Sequence, residues 1–334
     1  MELQETERFV TPDGSYEVTA RHALLRLPSP RADVHYVKAG DDASPTVLLL
    51  HGFPDSHKSW RFQIPALVRA GYRVLAPDLR GYGRSGKPTG VTAYGPDPVT
   101  DDLAELLRAE MSSSSQQSGE GGESKGRARA AARAVVGHDW GAAVAYAFAA
   151  RHGTSLEKLV ILNGVHPSVF LKFVLSNPIQ LLKSYYIGFF QLPVIPEAVI
   201  SAGDYAILRA IFRFDPKQPL PAADAEDVID ACSQEGALEA SLNYYRAAGP
   251  LHNLWSNVGK CEVPLQVQWG AGDRYLEEAI AIPPDDVAPL AAPLVRHTDA
   301  THWVQWDEPE AVSRALIDFL DPALETDEKN KIPS

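Results

Sequence analysis

The chain has 334 residues, 45% of them hydrophobic, with 31 Lys+Arg against 43 Asp+Glu and a formal charge of −12. This length fits two domains or one large domain with an insertion, and the apolar fraction supports a sizeable core. An acidic chain without a basic block is a poor partner for nucleic acid, and its sign argues against docking on anionic lipid.

The N-terminus, Met1-Glu2-Leu3-Gln4-Glu5, is acidic and carries no apolar signal core. The longest small-apolar stretch, Gly141 to Ala150, is about half a membrane span. Two cysteines, Cys232 and Cys261, make no disulfide framework and no metal-spaced cluster. A cytoplasmic protein with no membrane span, no metal and no cofactor is expected, as a monomer or a homodimer.

Val34–Val37 alternates like a strand, and Thr46–Leu50 is continuously apolar, like a strand buried on both faces. A helix-length segment follows, from His57 to Ala70, then further strands at Arg73–Ala76, Ala134–Val136, Leu159–Leu162, Leu265–Trp269 and Pro293–Val295. Helical patterns lie between them at Pro98–Met111, Trp140–His152 and Pro309–Leu320. Such alternation predicts a mostly parallel sheet with helices on both faces. Ser112 to Arg133, with its Ser/Gln and Gly/Glu runs, reads as a disordered surface loop centred on about 112–128. The strand series pauses over residues 167–254, which are helical and rich in Pro and aromatics. That pause predicts an inserted helical cap, with a first core part at 1–166 and a second at 255–334. An insertion there would sit over the carboxyl ends of the strands, where open α/β sheets bind ligands.

The sharpest motif is Gly137-His138-Asp139-Trp140-Gly141, between a strand and a helix. Glycines two before and two after a central residue are what a nucleophile elbow requires. The central residue is Asp139, a carboxylate that needs no base before it attacks. It can displace an oxygen or a halide at an activated carbon and become an ester. The order nucleophile, acid, histidine is expected downstream. Asp273, just past a strand, and His302, after the next strand, supply it. Asp285, Asp286 and Asp299 are rival acids that follow no strand, and Asn163 is set aside because it carries no charge. His22, His35, His57, His152, His252 and His297 read as surface or packing residues. His51-Gly52-Phe53-Pro54 closes the first buried strand, and the Phe53 N–H with the Trp140 N–H would form a two-donor oxyanion hole. Gly81-Tyr82-Gly83-Arg84-Ser85-Gly86 matches the dinucleotide fingerprint in letters, but Lys87-Pro88 follows where a helix must begin.

Together, His51–Pro54, Asp78-Leu79-Arg80-Gly81-Tyr82-Gly83-Arg84-Ser85, Gly137–Gly141 and His302 resemble the epoxide hydrolase branch of the α/β-hydrolase fold superfamily, over about Tyr36 to Leu320. The resemblance implies an eight-stranded, mostly parallel sheet with a helical cap. It implies an epoxide, a lipid epoxide or one met in detoxification, converted with water to a vicinal diol. It also implies two cap tyrosines on the epoxide oxygen. Tyr185-Tyr186-Ile187-Gly188-Phe189-Phe190-Gln191 resembles the first cap motif and places Tyr186; Asn243-Tyr244-Tyr245-Arg246 resembles the second and places Tyr245. His51, Pro54 and Trp303 would stand beside the substrate. A phenol stays protonated at neutral pH and can donate to a developing alkoxide. The long Ser/Gly insertion before the elbow strand departs from the family pattern.

Two other readings use the same fold. A haloalkane dehalogenase commonly places Asn after His-Gly to hold the halide, where Phe53 stands. The related fluoroacetate dehalogenases have Arg beside the nucleophile, where Trp140 and Ala143 are uncharged. A catalytically silent ligand receptor would tolerate loss of Asp139, Asp273 or His302, and all three are present.

Overall fold

Short runs with hardly a polar break, such as Thr46–Leu50, are stable only when covered on both sides. The computed structural model, which describes residues 2–117 and 131–322, places these runs side by side in the middle of one sheet. In chain order the strands are β1 (Glu2–Val10), β2 (Glu17–Leu25), β3 (Val34–Ala39), β4 (Thr46–Leu50), β5 (Arg73–Pro77), β6 (Ala134–His138), β7 (Leu159–Leu162), β8 (Leu265–Gly270) and β9 (Val295–His297). Their spatial order is β1-β2-β3-β5-β4-β6-β7-β8-β9. The pairings from β5 through β9 are parallel, and the three that join β1, β2, β3 and β5 are antiparallel.

The sheet therefore has nine strands among the described residues, where eight were expected. β1 and β2 escaped the sequence reading because β1, at the edge of the sheet, is mostly polar, with Gln4–Arg8 an unbroken polar run, and β2 beside it mixes polar and apolar residues without a clear period.

The period of two along each strand sorts the core into two layers. Leu48, Leu50, Val135 and Ile161 face α2 (Pro96–Gln117) and α3 (Trp140–His152). Val47, Leu49, Val136 and Val160 face the other way, against α1 (Gln63–Arg69) and the last helix, Pro309–Leu320. α2 continues to Gln117, so the loop expected from Ser112 does not begin there; residues 118–130 lie outside the described ones.

Between β7 and β8 the chain leaves the sheet and forms α4 (Pro167–Ser176), α5 (Pro178–Lys183), α6 (Tyr185–Phe190), α7 (Ile195–Phe214, kinked at Ala202–Tyr205), α8 (Ala222–Ser233) and α9 (Ala237–Ala248). These helices have a core of their own around Phe190, Leu208, Phe212, Val228 and Leu242, which reaches down to Trp303 and Trp306. After β9 come α10 (Val304–Asp307) and α11 (Pro309–Leu320). No described helix is long and apolar enough to cross a membrane.

Candidate active site

Asp139 occupies the turn from β6 into α3 with φ 52° and ψ −121°, a backbone region that side-chain-bearing residues rarely adopt. Close approach on both sides holds it there. A Cβ on Gly137 would lie 2.3 Å from the Gly141 carbonyl oxygen, and one on Gly141 would lie 2.1 Å from that of Leu50. The two glycines of the motif are thus required by contact, and the turn lifts the Asp139 carboxylate clear of the sheet.

Its two oxygens have different neighbours. The Phe53 N–H donates to Oδ1 at 2.8 Å, and Oδ2 lies 3.5 Å from His302 Nε2. On the far side of the ring, His302 Nδ1 is 2.8 Å from Asp273 Oδ2. Asp139, His302 and Asp273 stand at the carboxyl ends of β6, β9 and β8, so neighbouring parallel strands deliver all three to one place. Asp299 is instead on the surface near Lys217, and Asp285 and Asp286 are exposed.

Burial opposes charge on every member of this trio, and mutual attraction outweighs it. His302 is raised to about 10 by Asp273 and Asp139 against the cost of burial. The carboxyls of Asp139 and Asp273 are held below their ordinary range, chiefly by His302. These directions favour an imidazolium between two carboxylates at neutral pH.

The structure adds Asn163, which the sequence reading set aside. It follows β7 as Asp273 follows β8, at φ 36°, fully buried. Its Nδ2 donates to Asp273 Oδ2 at 2.7 Å, and its Oδ1 accepts the Gly270 N–H at 2.8 Å. Asp273 Oδ1 also accepts the Tyr275 and Leu276 N–H groups at 2.7 and 2.9 Å. Tyr275 is a second omission: its ring centroid is 5.1 Å from that of His302, and its hydroxyl donates to Asp215 in the helical insertion. The available signal was its place two residues after the acid.

Two cavities meet at Asp139, of about 270 and 520 Å³, both lined mainly by apolar side chains. Tyr186 from α6 and Tyr245 from α9 line both, with ring centroids 6.0 Å apart. Burial and the Asp139 charge push both phenols above their ordinary pKa, so they stay protonated donors. Tyr185 is 76% exposed and lines only the larger cavity, while Tyr244 is fully buried and donates to the Arg80 carbonyl. Pro54, Trp303 and the Phe53 ring line the larger cavity, and Trp140 the smaller. Trp140 is also the first residue of α3, where a helix leaves its N–H groups without intrahelical acceptors.

His51 is a correction. It lines neither cavity. It is fully buried, its Nε2 accepts the Leu79 N–H at 3.0 Å, and its Nδ1 is left to donate to the Gly52 carbonyl at 2.9 Å. Burial lowers it to about 4, so it is neutral and fastens the His-Gly-Phe-Pro turn to the next loop. His35, His57 and Asp78 are the one described group spaced to hold a cation, yet their atoms serve each other, at 2.8 Å for His35 Nδ1–Asp78 Oδ2 and 2.7 Å for His57 Nδ1–Asp78 Oδ1. With His22 on His35 and Glu7 on His57, each at 3.0 Å, they form a buried polar cluster.

The model of the alpha/beta hydrolase family matches residues 47–315. Epoxide hydrolase 3 of Xenopus tropicalis is 34% identical over 314 residues, covering 90% of this chain and 78% of that protein. Epoxide hydrolase 4 of Homo sapiens is 32% identical over 305 residues, again with 90% and 78% covered. Among solved structures, epoxide hydrolase A from Mycobacterium thermoresistibile superposes with a TM-score of 0.73 at 27% identity, covering 92% of this chain and 99% of that one.

Proposed function

The chain belongs to the alpha/beta hydrolase family, in its epoxide hydrolase branch, and on that premise we propose that it converts an epoxide to a vicinal diol through an ester on Asp139. The observation that supports this most is the carboxylate at the elbow, between a backbone donor and a histidine, facing two protonated tyrosines.

In the first step Asp139 Oδ2 attacks a ring carbon and the carbon–oxygen bond of the epoxide breaks. Tyr186 and Tyr245 donate to the oxygen that takes up the electron pair, and one phenol supplies the proton that makes it a hydroxyl. Ester formation removes the negative charge beside His302. One of the two interactions that raised its pKa is gone, so the imidazolium gives up its proton, which restores the phenol that protonated the ring-opened oxygen, and neutral His302 becomes a base. His302 then takes a proton from water, the resulting hydroxide attacks the ester carbonyl, and Asp273 stabilises the imidazolium that returns. The tetrahedral oxyanion is held by the N–H groups of Phe53 and Trp140. Collapse breaks the bond to Oδ2, the leaving oxygen takes the proton of the added hydroxyl to complete the diol, and the Asp139 carboxylate is regenerated.

The apolar walls of both cavities favour a lipid-like epoxide with substituents on each side of the ring. The unpaired, buried Cys232 and Cys261 are consistent with a cytoplasmic setting.

The test is His302→Gln. It should form the ester and fail to break it, giving a burst of one epoxide per chain without turnover. Intact mass should rise by one epoxide, on the peptide that contains Asp139. A folded variant that never gains mass rules out attack by Asp139, and halide release from haloalkanes without diol formation would assign the site to dehalogenation.

A further inference from the structure

In α5 a polar side chain turns inward while its apolar neighbours face out. The helix reads PIQLLK, and its one buried residue is Gln180, with Ile179, Leu181 and Leu182 exposed. Burying an amide is costly unless its hydrogen bonds are made, so this inversion marks a side chain with a specific task. Gln180 Nε2 donates to the Tyr275 carbonyl at 2.8 Å and to Ser184 Oγ at 2.9 Å, and its Oε1 accepts the Glu277 N–H at 2.8 Å. One amide thus grips the chain on both sides of Leu276.

The segment it grips is the loop that carries the acid of the trio. Lys183, at the end of α5, donates to the Asp273 carbonyl at 3.0 Å and the Leu276 carbonyl at 3.3 Å, and pairs with Glu277 at 2.6 Å. Asp215, just past α7, accepts from Arg274 at 2.8 Å and from the Tyr275 hydroxyl. Each residue from Asp273 to Glu277 is therefore bonded to the helical insertion. A peptide unit is planar, so a carbonyl and the N–H across the same C–N bond move as one body. The Tyr275 carbonyl accepts from Gln180, and the Leu276 N–H of that same peptide donates to Asp273 Oδ1 at 2.9 Å. From Asp273 Oδ2 the line continues to His302 Nδ1 at 2.8 Å. Hydrogen bonds joined in this way polarise one another.

We propose that Gln180, supported by Lys183, is a positioning residue for Asp273: the insertion that supplies Tyr186 and Tyr245 for ring opening also sets the orientation of the acid that serves ester breakdown. Gln180 lines neither cavity, so it acts through the loop and not on the substrate. The proposal rests on the ester route above.

The experiment is Gln180→Met, which keeps the length of the side chain and removes its hydrogen bonds. Rapid quench with intact-mass detection, at saturating epoxide, reads ester formation and decay as separate rates. Decay should slow by on the order of 10- to 100-fold, as for a misplaced catalytic group, while formation stays within about twofold. The pH profile of decay adds a readout that loose packing of the insertion does not move. Asp139, Asp273, His138 and Tyr275 are the titratable groups against His302. Burial lowers the pKa of His302, and Asp273 is foremost among the groups that raise it. With Asp139 esterified, a misoriented Asp273 should therefore move the midpoint of decay to lower pH. Lys183→Met, at a side chain that reaches solvent, should slow decay in the same way and decides the matter if the buried variant does not fold. Equal slowing of both steps with an unmoved midpoint assigns Gln180 to packing of the insertion and overturns the proposal. An ester that forms and decays at wild-type rates in the variant overturns it alone, whereas the absence of any adduct on Asp139 in His302→Gln overturns the ester route and the proposal with it.

Discussion

Asn163→Gly tests whether the charge pair behind the nucleophile depends on a neutral side chain. Glycine is the right replacement because the backbone there has φ 36°, which alanine would strain. Three bonds are lost: the 2.7 Å donation to Asp273 Oδ2, a 3.3 Å donation to the Gly270 carbonyl and the 2.8 Å acceptance from Gly270 N–H. A hydrogen bond to a charged group contributes about 1.5–3 kcal/mol. Asp273 helps His302 only while water is being activated, so that loss falls on ester breakdown. At about 1.4 kcal/mol per decade it amounts to roughly 10- to 100-fold in the rate of that step. Asp139 is already ionised and needs neither residue to open the ring, so ester formation should keep its rate. The orphaned Gly270 N–H should also reduce stability by about 1–3 kcal/mol. Rapid quench with intact-mass detection follows formation and decay of the ester separately. If formation slows as much as decay, or neither changes, Asn163 does not act through Asp273 and the reasoning fails.

Tyr186→Phe and Tyr245→Phe should each slow ester formation by about 10²–10³, as for a lost oxyanion donor, while Tyr185→Phe leaves it unchanged; single-turnover kinetics on one epoxide decides. A second expectation concerns pH and stability. Burial opposes charge on His57, but Asp78 and Glu7 outweigh it and raise its pKa from 6.5 to about 9. A folded pKa above the unfolded one gives stabilisation that is complete below about pH 6.5 and fades as pH rises through about 9, with a ceiling near 3 kcal/mol. Urea midpoints measured from pH 6 to 10 should fall across that window in the wild type and fall less in His57→Asn, where the decline due to His302 remains; parallel curves would show that His57 does not contribute.

The sequence was most legible where a local rule has one solution. Thr46–Leu50 has nowhere to lie except inside a sheet, and two glycines around Asp139 are demanded by contacts of 2.3 and 2.1 Å. It was least legible where a role depends on which way a side chain turns. His51 shares its motif with Phe53, yet its ring points away from the cavities into a buried network. Asn163 was dismissed for lacking charge, although what Asp273 draws from it is a directed N–H. The edge strand β1 is polar at six of its nine positions and its neighbour β2 at four of nine, without strict alternation, so periodicity alone could not place them.

On the proposed route, the unequal surroundings of the two Asp139 oxygens would decide where each oxygen atom travels. Oδ1 is tied to the Phe53 amide, which leaves Oδ2 to attack. In the ester Oδ1 is then already the carbonyl oxygen, seated where the oxyanion will form. Water adds to that carbonyl carbon, and the bond that breaks is the one from the carbon to Oδ2. On the proposed route the hydroxyl gained by the substrate therefore comes from the protein, and solvent replaces it on Asp139. A molecule that has worked through many turnovers carries at this one position an atom acquired from water after its synthesis.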